Sequence, residues 1–171
     1  MLSTVSELYA EIYAEPPYDE GPADVADFTS GWSQRIKQPN FRLVVARRDD
    51  EPIGFAFGYQ LAARTKWWSG ALAPIPSEIT TEYPGRTFAI IEIAVRGHYR
   101  QRGVGRLLHT HLTAGLSEER ITLAVRPEAP APQRAYRSWG YQRVGQTQPF
   151  PNGPIYDLMI KPLVCSPGDH L

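Results

Sequence analysis

The chain has 171 residues, with 18 lysines and arginines against 18 aspartates and glutamates and a single cysteine, Cys165. That length predicts one domain over residues 1–165 with a tail at 166–171, and the even charge argues against nucleic acid as a partner. One cysteine excludes an intrachain disulfide framework and fits a reducing, cytoplasmic setting. The first residues lack a basic-then-apolar leader, and no apolar run reaches membrane-spanning length.

In chain order, Leu2, Val5, Leu8, Tyr9 and Ile12 fall at helical spacing and predict a helix over 2–14. The proline- and glycine-rich stretch 15–22 cannot continue it. Val25, Phe28, Trp32 and Ile36 then predict one face of a second helix, ended by Pro39. A strand over 41–47, a turn at Arg48-Asp49-Asp50-Glu51 and a returning strand over 53–59 make a hairpin. Gly54 and Gly58 in the return strand suggest a bulge or a close backbone approach.

Residues 60–85, with Trp67, Trp68, Pro74, Pro76 and Pro84, form a connection long enough to suggest function. A buried strand over 86–95, a helix over 103–116 and a short strand over 121–125 follow. After a proline-rich loop, Pro132 suits the first turn of another helix and Gly140 its stop, before closing strands at 141–145 and 155–163. The order predicts a mixed α/β layered fold in which the strand–helix–strand unit 88–125 is parallel with a right-handed crossover.

The junction between the 86–95 strand and the next helix reads Arg100-Gln101-Arg102-Gly103-Val104-Gly105-Arg106. Glycines let the backbone approach a ligand, the first N–H groups of a helix lack partners and attract anions, and three arginines add positive charge. Together they predict diphosphate binding. A dinucleotide fingerprint is disfavoured because its third glycine position is Leu108, and no P-loop run is present. A bland helix cap without a ligand is the remaining alternative.

Farther on stands Ala135-Tyr136-Arg137-Ser138-Trp139-Gly140-Tyr141. With these two segments the chain resembles the GNAT superfamily of N-acetyltransferases. Arg100 to Gly105 resembles its acyl-CoA signature, and Tyr136 with Gly140-Tyr141 its second signature. The resemblance implies a GNAT acyltransferase fold: a central, mostly antiparallel sheet with one splayed parallel strand pair. It implies acetyl-CoA as co-substrate, held by Arg100, Gln101, Arg102, Gly103, Val104, Gly105 and Arg106 together with main-chain groups at Ile93, Val95, Arg96 and Gly97. It also implies direct transfer of the acetyl group to a primary amine of a small molecule or a peptide.

That reaction needs a base for the amine, donors for the oxyanion and an acid for the departing thiolate. Tyr136 is the candidate acid, with a core aromatic as the alternative. Glu92, the carboxylate inside the presumed central strand, is the candidate base, because burial raises a carboxylate's pKa toward neutrality; the alternative is an ion pair or hydrogen bond to a neighbour. His109 and His111 are expected to be solvated, and no histidine–carboxylate spacing suggests a metal.

Leu123-Ala124-Val125-Arg126 is similar to the Leu-Glu-Val-Arg strand of acetyltransferases acting on ribosomal-protein N-termini, with Ala124 in place of the glutamate. Ala129 likewise replaces an asparagine that contacts CoA in those enzymes. Tyr18, Trp32, Trp67 and Trp68 are candidates for an acceptor pocket, and the tryptophans alternatively for a homodimer surface. A non-catalytic acyl-CoA-binding regulatory module is the competing function; Glu92 and Tyr136 favour the enzyme.

Overall fold

The computed structural model describes residues 1–163; the expectations for Cys165 and for the 166–171 tail lie outside the described residues. The strands are β1 (Arg42–Arg48), β2 (Glu51–Gln60), β3 (Thr87–Val95), β4 (Arg120–Val125), β5 (Gln142–Thr147) and β6 (Tyr156–Pro162). The helices are α1 (Leu2–Tyr13), α2 (Pro22–Ser30), α3 (Trp32–Arg35), α4 (Ser77–Thr80), α5 (Val104–Thr113) and α6 (Pro130–Ser138). The sheet order is β1-β2-β3-β4-β6-β5. β1/β2, β4/β6 and β5/β6 are antiparallel. β3 and β4 form the parallel pair, with Thr87, Phe88 and Ala89 opposite Arg120, Ile121 and Thr122. The mixed α/β, mostly antiparallel architecture is the expected one.

The described residues pack as two compact units, one comprising Met1–Tyr59 with Ile90–Gly115, the other Gln60–Ala89 with 116–163. The first is built on aromatic packing. Val5, Leu8, Tyr9 and Ile12 recur on one side of α1 and bury against Phe28, Trp32, Phe55, Phe57 and Ala94. Phe28 stacks on Tyr9 at 4.1 Å, and Trp32 meets Phe57 edge-on at 5.3 Å. Such pairs contribute about 0.5–1.5 kcal/mol each beyond their buried area.

The second predicted helix is in fact two. Gly31 ends α2, and the side chain of Arg35 folds back into the space beside it, where a Cβ would meet the guanidinium at 3.1 Å. Arg35 then donates to the Phe28 carbonyl at 2.6 Å and lies over the Phe28 ring. The break rotates Ile36 off the buried face, leaving it 47% exposed, while Trp32 stays in the core.

The return strand bears out the reading of Gly54. The β1/β2 register shifts between Ala46 and Arg47, so that Ile53 is passed over in the pairing. A Cβ on Gly54 would meet the Ala94 carbonyl at 2.7 Å, and the carbonyl of Ile53 accepts from the Arg96 N–H at 2.9 Å. α5 ends earlier than expected, at Thr113, where Arg42 of β1 donates to the carbonyls of Leu112 and Ala114 at 3.3 and 2.6 Å. A cation at a helix C-terminus satisfies carbonyls that have no partner in the helix. His109 is buried on α5, against the expectation of solvation, because it shares the inward side with Leu108 and Leu112; His111 is exposed.

In the second unit the core is formed by Phe88, Ala89, Ile121, Leu123, Leu158, Met159 and Ile160. The long 60–85 connection carries the short helix α4 and bridges to β5 through Ala71 and Thr147. It is anchored by a buried polar cluster. Glu82 pairs with Arg120 at 2.7 Å and accepts from Thr87 Oγ1 at 3.0 Å and from Trp68 Nε1 at 3.1 Å. Arg120 also donates to Thr87 Oγ1 and the Ile79 carbonyl, and lies over the Trp68 ring. Trp68 is therefore core, and Trp67 is half-buried against the hydrophobic cluster of Trp68, Leu158 and Ile160.

Candidate active site

Ile90 to Val95, the end of β3, runs into a 3₁₀ turn at Gly97–Tyr99 and then into the basic segment before α5. That segment has an unusual backbone. Gln101 has φ +58° and Gly103 φ +82°, with Arg102 between them on the negative side. Left-handed residues in a turn can gather backbone N–H groups into a concavity that binds anions. Gly103 caps α5 in the left-handed region, where glycine carries no Cβ penalty. α5 has no side-chain cap and no acidic residue in its first turn, so its own residues do not offset its positive end.

Space is available there too. A Cβ on Gly103 would meet nothing within 4 Å, and one on Gly105 only Val95 Cγ2, at 3.9 Å. Arg102 and Arg106 are exposed and take part in none of the ion pairs among the described residues. Backbone shape, open flank and two available guanidinium groups fit a diphosphate.

The other basic candidates differ. Arg96 is held by Glu11 at 2.9 Å and by Glu51 at 2.6 Å. Arg100 pairs with Glu15 at 2.7 Å, and its Nε donates to the Val95 carbonyl at 3.0 Å. Gly97 lies under the same Glu15 carboxylate, 3.2 Å from where a Cβ would sit. These residues brace the turn against α1 and β2. The Val95 carbonyl and the Arg96 N–H, expected to face pantetheine, are already engaged by Arg100 and Ile53.

Glu92 sits half-buried on β3 and accepts a hydrogen bond from the hydroxyl of Tyr13 on α1. Burial pushes its carboxyl up to about 7; the Tyr13 hydrogen bond opposes this, the Glu20 charge adds to it and Arg35 opposes it. One helical turn earlier, Tyr9 donates to Glu20 at 2.5 Å, and the two tyrosine rings lie 4.6 Å apart. Burial and that carboxylate push the Tyr9 hydroxyl far above its ordinary range. Tyr18 meets Tyr13 edge-on at 4.9 Å. Sequence reasoning found Glu92 but not Tyr13 or Glu20; their signals are a tyrosine pair at i, i+4 and one acid in a loop, neither of which points to β3.

Tyr136 belongs to the second unit. α6 begins with Pro130 and ends before Gly140, whose φ is +95°. Tyr136 is half-buried, with Trp139 and Tyr141 edge-on at 5.6 and 5.8 Å, and its carbonyl accepts from the Tyr141 N–H at 3.1 Å. One turn earlier, Gln133 donates to Asp157 of β6, which also accepts from Arg143 and Gln146. Burial disfavours the Asp157 charge, but these donors outweigh it and hold the carboxyl below its usual range. Ala124 is exposed on β4 and Ala129 is buried ahead of α6.

The acetyltransferase (GNAT) family profile matches residues 3–141, and the chain belongs to that family. Among solved structures it is similar to an aminoglycoside 6'-acetyltransferase type Ii, with 19% identity over 97% of this chain and 92% of that one and a TM-score of 0.65. It is similar to a ribosomal-protein-alanine N-acetyltransferase from Brucella melitensis, with 18% identity over 95% and 94% and a TM-score of 0.64. A PaiA N-acetyltransferase from Thermoplasma acidophilum, in complex with coenzyme A, aligns at 12% identity over 95% and 92% with a TM-score of 0.62. At such identities the likeness establishes the fold. No curated protein matches the chain.

Proposed function

We propose that this acetyltransferase moves the acetyl group of acetyl-CoA directly to a primary amine, with the Gln101–Arg106 turn holding the diphosphate. The observation that carries the reading is that turn: left-handed Gln101 and Gly103, an open flank at Gly105, and Arg102 and Arg106 left for an anion. Glu92 is the base, directly or through water, with a pKa of about 7 that lets it be ionised at neutral pH and still accept a proton. Tyr136 is the acid that protonates the departing thiolate. No covalent enzyme intermediate is required. The acceptor is a small amine or a peptide amine. In keeping with Ala124, which lacks the glutamate carboxylate at that position, the base belongs to β3.

The test is release of free thiol from acetyl-CoA against a panel of spermidine, kanamycin, lysine and an alanyl peptide. Activity toward one of them supports the reading. Binding of CoA with no thiol release across a broad amine library supports the non-catalytic module. Gly105→Glu should weaken CoA binding, measured by calorimetry, because it fills the open flank and sets a negative charge beside the diphosphate. Unchanged affinity would remove the turn from the site.

Tyr136→Phe should lower kcat by about a hundredfold while leaving CoA affinity intact, since the hydroxyl acts only as the thiolate forms. The ring contacts with Trp139 and Tyr141 survive the change, so a full-rate Phe variant, with chemistry rate-limiting, would reassign Tyr136 to packing.

A further inference from the structure

We propose that α1 and the loop after it tune the Glu92 carboxylate: Tyr13 is a positioning residue that orients it and favours its charge, and Glu20 is a second carboxylate that disfavours that charge. The functional importance of this tuning rests on the reading of Glu92 as the base; the tuning itself does not.

The geometry is fixed by the core. Val5, Leu8, Tyr9 and Ile12 are buried, which sets the rotation of α1 and leaves Tyr13 one turn beyond Tyr9, its ring tilted against that of Tyr9. Tyr9 is pinned by Phe28 and donates to Glu20; Tyr13 is flanked by Tyr9 and Tyr18 and donates to Glu92. Two tyrosine–glutamate pairs thus stand side by side. The titratable and charged groups facing Glu92 are Tyr13 and Tyr9 from α1, Glu20 from the loop that follows it and Arg35 from the end of α3.

Their signs differ. A hydroxyl that donates to a carboxylate favours its ionised form, so its removal raises the pKa. A neighbouring negative charge disfavours ionisation, so its neutralisation lowers the pKa. Tyr13→Phe and Glu20→Gln should therefore move the Glu92 titration in opposite directions, upward and downward. Glutamine can still accept the Tyr9 hydrogen bond, so the fold around position 20 is kept. A purely structural role would change stability in both variants without opposed titration shifts.

The experiment is carboxyl-detected NMR of the full chain labelled with ¹³C-glutamate, without ligand, the Glu92 resonance being assigned by its loss in Glu92→Gln. A wild-type midpoint near 7, raised by Tyr13→Phe and lowered by Glu20→Gln, is the expected result. Midpoints that do not move, or that move together, would overturn the tuning. Should Tyr13→Phe fail to fold, Glu20→Gln alone decides, since a downward shift is required of it. The acid limb of kcat/KM with the amine found active should follow the NMR midpoints. Opposed NMR shifts with an unmoved acid limb leave the tuning standing and overturn Glu92 as the base.

Discussion

Glu92→Gln is expected to lower kcat/KM by about a hundredfold or more at alkaline pH, with little change in acetyl-CoA affinity. Glutamine keeps the shape and can accept from Tyr13, but it cannot take a proton from the amine. The wild-type rate should rise with pH through about 7, where burial has placed the Glu92 titration, and the variant should lose that limb. Stability should change the opposite way. The folded pKa is raised above the ordinary 4.5, so the native state holds a proton that the unfolded chain releases between 4.5 and about 7. Glu92's contribution is therefore fully present below that window and is lost as pH rises through it. The thermal midpoint of Glu92→Gln should gain on the wild type across this window and then level off. A variant with full activity, or a midpoint difference that does not vary with pH, would contradict the assignment.

The second large effect is on folding. Glu82→Ala is expected to destabilise the protein by about 3–5 kcal/mol in urea or thermal unfolding, because it strips the buried Arg120 guanidinium of its carboxylate and Trp68 Nε1 of its acceptor. The side chains of Glu82 and Arg120 are only 1% and 9% exposed, so the charge left on Arg120 would be shielded from bulk solvent. The double replacement Glu82→Leu with Arg120→Met should lose much less, since no charge is left buried alone. A loss no greater in Glu82→Ala than in the double variant would show that the pair does not anchor the 60–85 connection.

Local signals made the basic turn legible. A strand, two glycines and an amphipathic helix follow one another between Thr87 and Thr113, and the left-handed conformation at Gly103 is what glycine at that place foretells. The hairpin with its irregularity at Gly54 was legible for the same reason. What escaped was long-range. Tyr13 and Glu92 are 79 positions apart, and Arg120 and Glu82 are 38 apart, so only the fold brings them together. Ile36 was misplaced because periodicity assumes an unbroken helix, and Gly31 breaks it. Trp68, a candidate for an acceptor pocket or a homodimer surface in the sequence, is buried and donates its N–H to a buried glutamate that sequence proximity does not reveal. The ion pairs of Arg96 with Glu11 and Glu51 and of Arg100 with Glu15 were not legible either, because composition shows charge but not which acids the fold brings beside it.

Transfer of the acetyl group from acetyl-CoA to an amine yields two products, and both can be followed at once. With ¹³C-acetyl-CoA and the amine panel, free thiol and labelled acetyl-amine should appear in equal amounts, by thiol titration and mass spectrometry, and both should fall together in Glu92→Gln. Thiol released without acetylated amine, or a Glu92→Gln variant that forms both at the wild-type rate, would contradict it.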